Sequence, residues 1–393
     1  MSRFSVKQKI HGGADAWLCL TTLHHRRFLE DVIHIIGMPS GAHIRLRYRK
    51  PYVDSVLWHR TLTSTKFDTE IVILVFAASD TKGSIKAAPM RAGTIIRARC
   101  EGELFILDVA LEDFLFESSG EGELYKKLES QCRSLPKSLS KSKASKGKYL
   151  QRIETKSLEL MSDSSVVGWE KTAAAFFEID SAHSPGQPNL ESQLPFLYFL
   201  KQLAPKSSNL LKKDGCLVLE MGSQTEFEIH TISRPSTKSI SNPLGEIMLD
   251  LSHSAASFTS TRRVRVDSSR DVKSVGISTF PLFRTTDGHI SVRTVLFKYE
   301  SDEGDDESIA VRDASGTILP TAKRTETVVA RFDVPLKIGK LRPFIASLLI
   351  AGATSLSVYK FSSQGEFKVI DLMIPTVVFI FTLAGLSMGL IKK

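Results

Sequence analysis

Residues 42–50 read AHIRLRYRK, and the strict alternation in this stretch decides how the chain begins to fold. Successive side chains of a β-strand point to opposite faces of its sheet. The stretch therefore predicts a strand with one basic face and one apolar face. The basic face carries His43, Arg45, Arg47 and Arg49, and the apolar face carries Ile44, Leu46 and Tyr48.

The same alternation recurs at Arg97 and Arg99 in residues 94–100, TIIRARC, and again in residues 262–266, RRVRV. If strands 43–48 and 93–99 are neighbours, their guanidinium groups form a patch that grips phosphate in bidentate geometry. The predicted anion-binding residues are Arg45, Arg47, Arg49, Arg91, Arg97 and Arg99. The alternative is a solvated sheet face on which the arginines pair with nearby carboxylates such as Glu101, Glu103 and Asp108.

The rest of the N-terminal third reads as further strands around one helix. Apolar residues at helical spacing predict a helix over 28–36, and alternating or apolar runs predict strands over 70–77, 93–99 and 103–109. Turns rich in Gly, Pro, Ser and Asp separate them. Residues 1–118 are therefore predicted to form a small N-terminal β-rich domain, a barrel or sheet covered by one helix.

Composition divides the remainder of the soluble part. Residues 119–155 form a basic, Ser/Lys-rich linker that cannot bury enough apolar surface to fold alone. Residues 156–225 are predicted to be a mixed α/β region with helices at 158–161 and 193–203 and a strand at 216–220. Residues 226–335 are predicted to form a β-sandwich-like domain, with strands at 226–232, 246–251, 263–267, 289–299, 308–311 and 327–332. The predicted fold class is mainly β with some α.

Two apolar runs near the C-terminus predict a transmembrane helical hairpin over 336–393. The run 369–391 has Asp371 as its one charged residue and exceeds the roughly 20 residues that a helix needs to cross a bilayer. The run 343–359, PFIASLLIAGATSLSVY, is uncharged and lies at the short end of the spanning range, so a thin span and a re-entrant segment both fit it.

The charges that flank these runs predict an orientation. Lysine and arginine precede the first run and close the second, so both ends of the hairpin face the cytoplasm. The first 30 residues contain no apolar stretch that fits a secretory signal. The expected location is the inner (plasma) membrane, with the bulk of the chain cytoplasmic.

Small residues within the hairpin predict helix packing in lipid. Gly385 and Gly389 form a GxxxG pair, and Gly352 with Ser355 gives the first run a small-residue face. These small residues allow two arrangements. The two helices of one chain pair with each other, or several chains assemble into a homo-oligomer. In an oligomer, Asp371 and Pro375 are the candidate gating residues. The alternative reading of Asp371 is a marker of the membrane interface.

Charge and motif content narrow the function classes. The net charge of +9 favours anionic partners such as lipid headgroups, nucleic acid or nucleotides. The four cysteines lie far apart without a CxxC pair, which argues against a zinc knuckle or a disulfide framework. No phosphate-loop or HExxH motif occurs. We therefore expect no cofactor, no metal site and no enzymatic activity.

The layout of cytoplasmic β-rich domains ahead of a membrane hairpin resembles, in architecture alone, the membrane-disrupting effectors of bacterial antiviral defence. That resemblance implies a sensor and effector in one chain, which binds an anionic ligand and oligomerises to perturb the membrane. The competing hypothesis is a passive membrane-anchored scaffold that recruits a protein partner.

Overall fold

The described part of the chain is mainly β with few helices, as predicted, and its sheets are curled. In the computed structural model it covers residues 15–22, 26–63, 71–79, 85–116, 148–154, 161–182, 194–203, 215–219, 224–235, 243–253, 256–267, 270–279, 287–300, 311–312, 318–319 and 323–338. Residues 339–393, and with them both apolar runs of the predicted hairpin, lie outside the described residues. Within these ranges, no helix has the length and hydropathy that a membrane span requires.

Seven strands of the N-terminal part build one sheet. They are β1 (Asp15–Thr21), β2 (His43–Arg49), β3 (Ile71–Ser79), β4 (Ile85–Glu101), β5 (Leu104–Phe116), β6 (Leu150–Glu154) and β7 (Met161–Asp163). The order is β2-β5-β4-β3-β1-β6, with β7 paired to β5. The pair β1 and β3 is parallel, and the other pairs of this sheet are antiparallel.

The N-terminal sheet curls until its two edges meet. The β4–β5 ladder shifts register twice within residues 91–97, and such bulges bend strands and increase their twist. The bend brings β2 close to β1. The Tyr48 hydroxyl therefore donates a hydrogen bond to the Leu20 carbonyl of β1 at 3.4 Å. Just after β2, the backbone of Val53 bridges to Leu150 of β6 and closes the curl.

Two further sheets stack face to face in the C-terminal part. Their strands are β8 (Phe196–Leu203), β9 (Leu217–Leu219), β10 (Gln224–Ser233), β11 (Gly245–Ser252), β12 (Ala256–Phe258), β13 (Arg263–Val266), β14 (Asp271–Thr279), β15 (Asp287–Glu300) and β18 (Lys323–Ile338), and a separate pair is formed by β16 (Val311–Arg312) and β17 (Ile318–Leu319). One sheet has the order β12-β14-β10-β8 and the other has the order β13-β11-β15-β18-β9. Apolar side chains from both sheets, including Phe227, Ile277, Ile290 and Val334, line a cavity of about 20 Å³ between them. The cavity offers no polar partner to a water molecule, so it is a packing void.

The described residues include three α-helices, of which the first and third join the two parts. They are α1 (Arg26–Gly37), α2 (Ser55–Thr63) and α3 (Val166–Ala182). On α3, Phe176 packs on Phe76 of β3 with ring centroids 4.6 Å apart, and Trp169 stacks on Phe199 of β8 at 5.9 Å. Helix α3 therefore contacts the N-terminal sheet and the sheet that contains β8, and its burial fixes these two sheets against each other.

Most predicted strands are confirmed, and the helix predicted over 28–36 is confirmed as α1. The predicted helix at 193–203 is wrong, because residues 196–203 form β8. A short run that is apolar on both faces does not distinguish a buried strand from a helix. Helices α2 and α3 were not predicted. The proposed domain boundaries stay a prediction.

Helix α1 also contacts the C-terminal part. The backbone N–H of Arg331 in β18 donates to the Glu30 carboxylate at 3.4 Å, and the His34 ring lies 5.1 Å from the Phe332 ring. His34 is largely buried here, with 13 % of its side chain exposed. Burial lowers its pKa to about 4, although the backbone of Arg331 and the carboxylate of Asp333 oppose that shift. At neutral pH the imidazole is therefore uncharged.

The neutral state of His34 predicts a loss of stability in acid. Its folded pKa of about 4 lies below the ordinary value of 6.5, so the unfolded chain binds the proton first. The free energy of unfolding should then fall by up to about 3 kcal/mol as the pH drops through that window. We expect the His34→Leu variant to lose less stability than the unaltered chain, measured as thermal unfolding by near-ultraviolet circular dichroism across the same pH range.

A matched control is His59→Leu, because His59 is an exposed histidine of α2. This variant should keep the pH dependence of the unaltered chain. If His34→Leu and the unaltered chain show the same pH dependence, the buried histidine is not its source.

Candidate anion-binding surface

Strand β2 presents its arginines to solvent. Its residues alternate between buried and exposed from Ile44 to Arg49, as the alternation in the sequence predicted. Arg45, Arg47 and Arg49 are exposed, whereas Ile44 and Leu46 are buried. The basic face of β2 therefore lies on the outside of the curled sheet.

Arg97 and Arg99 of β4 lie on the same outer face, but not beside β2. Strand β5 separates the two, so the condition that their strands are direct neighbours is not met. Asp108 of β5 is paired with Arg45 on one side and Arg97 on the other, and Arg47 and Arg99 flank the next outward position of β5. Two strand spacings place β2 and β4 about 10 Å apart. We call Arg45, Arg47, Arg49, Arg97 and Arg99 the arginine surface.

Asp108 holds two members of the arginine surface. It accepts a hydrogen bond from Nε of Arg45 at 2.7 Å and another from Nη1 of Arg99 at 3.0 Å. Arg99 also pairs with Glu101, and this hydrogen bond is the main cause that raises the pKa of Arg99. Lys50 lies 3.7 Å from the Glu103 carboxylate at the end of β2. Part of the basic face is thus neutralised, as the alternative reading of the sequence expected.

The other arginines of the surface remain open to solvent. Arg47, Arg49 and Arg97 are exposed, and Arg49 and Arg97 form no ion pair with the residues that the structure describes. The cations of this face therefore outnumber its carboxylates. This excess of exposed guanidinium groups provides donors for an anion from outside.

Arg91 is not part of this surface. Its side chain is fully buried, and its nitrogens donate to protein oxygens. Nε donates to the Glu112 carbonyl at 2.9 Å, and Nη2 donates to Ser40 Oγ at 2.8 Å. Nη1 donates to the carbonyls of Ile35 and Met38 at the end of α1. No donor is left for a ligand, so the prediction that Arg91 binds an anion is wrong.

The surroundings of Arg91 explain how a buried cation is tolerated. Its guanidinium lies 4.2 Å from the centre of the Phe114 ring, which adds a cation–π contact. Burial lowers the pKa of Arg91 to about 9, while the carboxylates of Asp113 and Glu112 oppose that shift. The group stays charged at neutral pH. It acts as a clamp between the end of α1 and β5.

The sequence around Arg91 indicates that this residue is buried. The alternation of Arg97 and Arg99 led to the opposite prediction. Arg91 stands in AAPMRAG, residues 87–93, where small and apolar residues occupy both faces of the strand. A lone charge in such a run is typical of a buried, fully hydrogen-bonded group. Asp108, in contrast, is recognisable as an anchor of two arginines only after the strand order is known.

The other predicted site residues fall elsewhere. Gly352, Ser355, Asp371, Pro375, Gly385 and Gly389 lie outside the described residues. Cys19 and Cys216 are buried and Cys100 is partly exposed, none of them in a disulfide. Burial raises the pKa of the Cys19 thiol. No cluster of metal-ligating side chains occurs in the part of the chain that the structure describes.

The sequence matches no protein-family model, no curated protein and no solved structure. What can be inferred about its function therefore comes from the residues and their arrangement.

Removal of the Arg91 clamp should destabilise the fold. In Arg91→Met, the buried carbonyls of Ile35, Met38 and Glu112 lose their donor, which should lower the free energy of unfolding by at least about 3 kcal/mol. Urea unfolding followed by tryptophan fluorescence measures this change. Arg97→Met is the control on the same strand, since an exposed substitution should change stability by no more than about 0.5 kcal/mol. Equal losses in the two variants would contradict the assignment.

Proposed function

We propose that the chain is a membrane-anchored sensor and effector. Its arginine surface binds a phosphate-bearing anion on the cytoplasmic side of the inner membrane. Its C-terminal hairpin oligomerises and perturbs the bilayer, as in the membrane-disrupting effectors of bacterial antiviral defence that the layout resembles. The single observation that carries this proposal is the exposure of Arg47, Arg49 and Arg97 on one face of the sheet.

The chemistry of the surface favours phosphate. A guanidinium group presents a planar fork of donors that matches two phosphate oxygens. The ion pairs of Asp108 with Arg45 and Arg99 hold these two side chains in place. Arg47, Arg49 and Arg97 then supply the cations that meet the ligand.

The second half of the proposal rests on sequence. Small residues at Gly385 and Gly389 permit close approach of two helices in lipid. An effector needs both an anion-recognition surface and an assembling hairpin, whereas a passive anchor needs neither.

A specific observation favours the alternative, a membrane-anchored scaffold that recruits a protein partner. Helix α2 exposes Val56 and Leu62 by 57 % and 62 %, and Tyr52 nearby is exposed by 37 %. Exposed apolar side chains of this size are the kind that a protein-interaction site uses. In this reading, α2 docks the partner and the arginine surface only keeps a sheet edge soluble.

Neutralising the open arginines should weaken anion binding. We expect Arg49→Gln combined with Arg97→Gln to weaken the binding of inorganic polyphosphate to the detergent-solubilised full chain by about tenfold or more, since each substitution removes charge-assisted hydrogen bonds. A fluorescence titration with labelled polyphosphate measures the dissociation constant.

The matched control is Arg262→Gln combined with Arg265→Gln, which removes the same charge from exposed positions in and beside β13. It should leave the affinity within about twofold, because the Debye length of roughly 8 Å screens distant charges. Equal weakening in the two double variants would mean that net charge, and not the arginine surface, governs binding.

Blocking the hairpin interface should reduce the size of the assembly. Gly385→Leu combined with Gly389→Leu places bulky side chains where two helices must meet, so the solubilised chain should elute as a smaller species in size-exclusion chromatography with light scattering. Ser387→Leu, on another face of the same helix, should leave the size unchanged. If the glycine variant keeps the original size, the scaffold reading is favoured.

A further inference from the structure

The described chain ends next to the first apolar run. Strand β18 ends at Ile338, which precedes Pro343 by five positions in the sequence. A chain of that length spans at most about 18 Å when fully extended. If the run that begins at Pro343 enters a bilayer, the end of β18 therefore lies close to the headgroup layer.

Strand β9 connects this end of the molecule with the arginine surface. It pairs in parallel with the last residues of β18, with Leu217 beside Leu336. Two residues before Leu217, Gly215 has a φ of +68°, and a Cβ built on it would lie 2.4 Å from the His43 ring. The backbone of Gly215 is thus packed directly on His43, the first residue of β2.

The last residues of β18 are therefore connected to the start of β2 through two contacts. These are the pairing of β18 with β9 and the contact between Gly215 and His43. Arg45 follows His43 by two positions, which adds about 7 Å along the strand. Lys337, at the end of β18, is also exposed. The arginine surface thus begins next to the segment that pairs with the last strand before the first apolar run.

Arg265 of β13 lies far from the end of β18, because the strand register places it level with Val328, ten residues before Ile338. Strand β13, with Arg263 and Arg265, occupies the edge of its sheet opposite to β9. Four strand spacings separate these edges, which amounts to about 19 Å. That distance exceeds the Debye length of roughly 8 Å in physiological salt. Charges at β13 are therefore not expected to sense the headgroup layer that β2 reaches.

We infer that the ligand of the arginine surface is the anionic headgroup layer of the bilayer into which the same chain is anchored. This inference rests on the proposed function and names its ligand class. Lipid phosphates lie in a plane and are numerous, so each exposed guanidinium meets its own phosphate. Near an anionic surface each basic residue contributes about fivefold to association. The part of the chain that precedes the first apolar run then lies against the bilayer.

The test measures how accessible each arginine of the unaltered full chain is to a chemical reagent. The chain is inserted into nanodiscs of phosphatidylcholine alone or of phosphatidylcholine mixed with phosphatidylglycerol. Phenylglyoxal then modifies accessible guanidinium groups, and mass spectrometry gives the modification rate of each arginine. We expect the rates at Arg47, Arg49 and Arg97 to fall at least about fivefold in the anionic discs and to recover at high salt. Arg262 and Arg265 should react at equal rates in both discs.

A second arm separates the two proposals. Inorganic polyphosphate is added to the chain in phosphatidylcholine discs, and the same rates are measured. Protection by polyphosphate without protection by phosphatidylglycerol overturns the headgroup inference and leaves the proposed anion binding intact. Protection by neither overturns both. A chain that does not co-purify with either disc contradicts the membrane anchoring on which both proposals depend.

Discussion

The buried guanidinium of Arg91 is the interaction on which the rest of the fold depends. It lies on β4 where the β4–β5 register shifts, and it bonds the end of α1 to the backbone of β5. A buried charge is tolerated only where its donors are satisfied, so the end of α1 and the neighbouring part of β5 must take up one arrangement together. Helix α1 also carries Glu30 and His34 against β18. The clamp and α3 together therefore determine how the N-terminal sheet meets the C-terminal sheets.

The same strand uses arginine in two opposite ways. Arg91 is buried and binds carbonyls, whereas Arg97 is exposed on the outer face. The register shift between Ile95 and Arg97 leaves both Ile96 and Arg97 exposed. A bulge of this kind changes which side chains share a face. Counting alternate residues back from Arg97 would therefore place Arg91 on the wrong face, and the bend that closes the sheet is the reason.

The sequence was sufficient to predict local structure where the periodicity is clean. Strand β2 alternates at every position, and its basic and apolar faces follow directly. Helix α3 was missed because VVGWEKTAAAFFEIDSA is largely apolar on several sides, as expected of a helix packed between two sheets. The position of β5 between β2 and β4 was also missed, since strand order depends on contacts between residues distant in sequence. Asp108, which joins Arg45 and Arg99, could be recognised only once that order was known.

The spacing of the open arginines decides what kind of anion this face suits. A small ligand is bound tightly when several donors converge on it within a concave pocket. On this face the point of convergence is the pair Arg45 and Arg99, and the Asp108 carboxylate already occupies it. Arg47 and Arg49 are about 7 Å apart along the strand, and β4 lies about 10 Å from β2. Donors so spaced on the outside of a curled sheet do not close around one phosphate, but they match an array of phosphates on a surface.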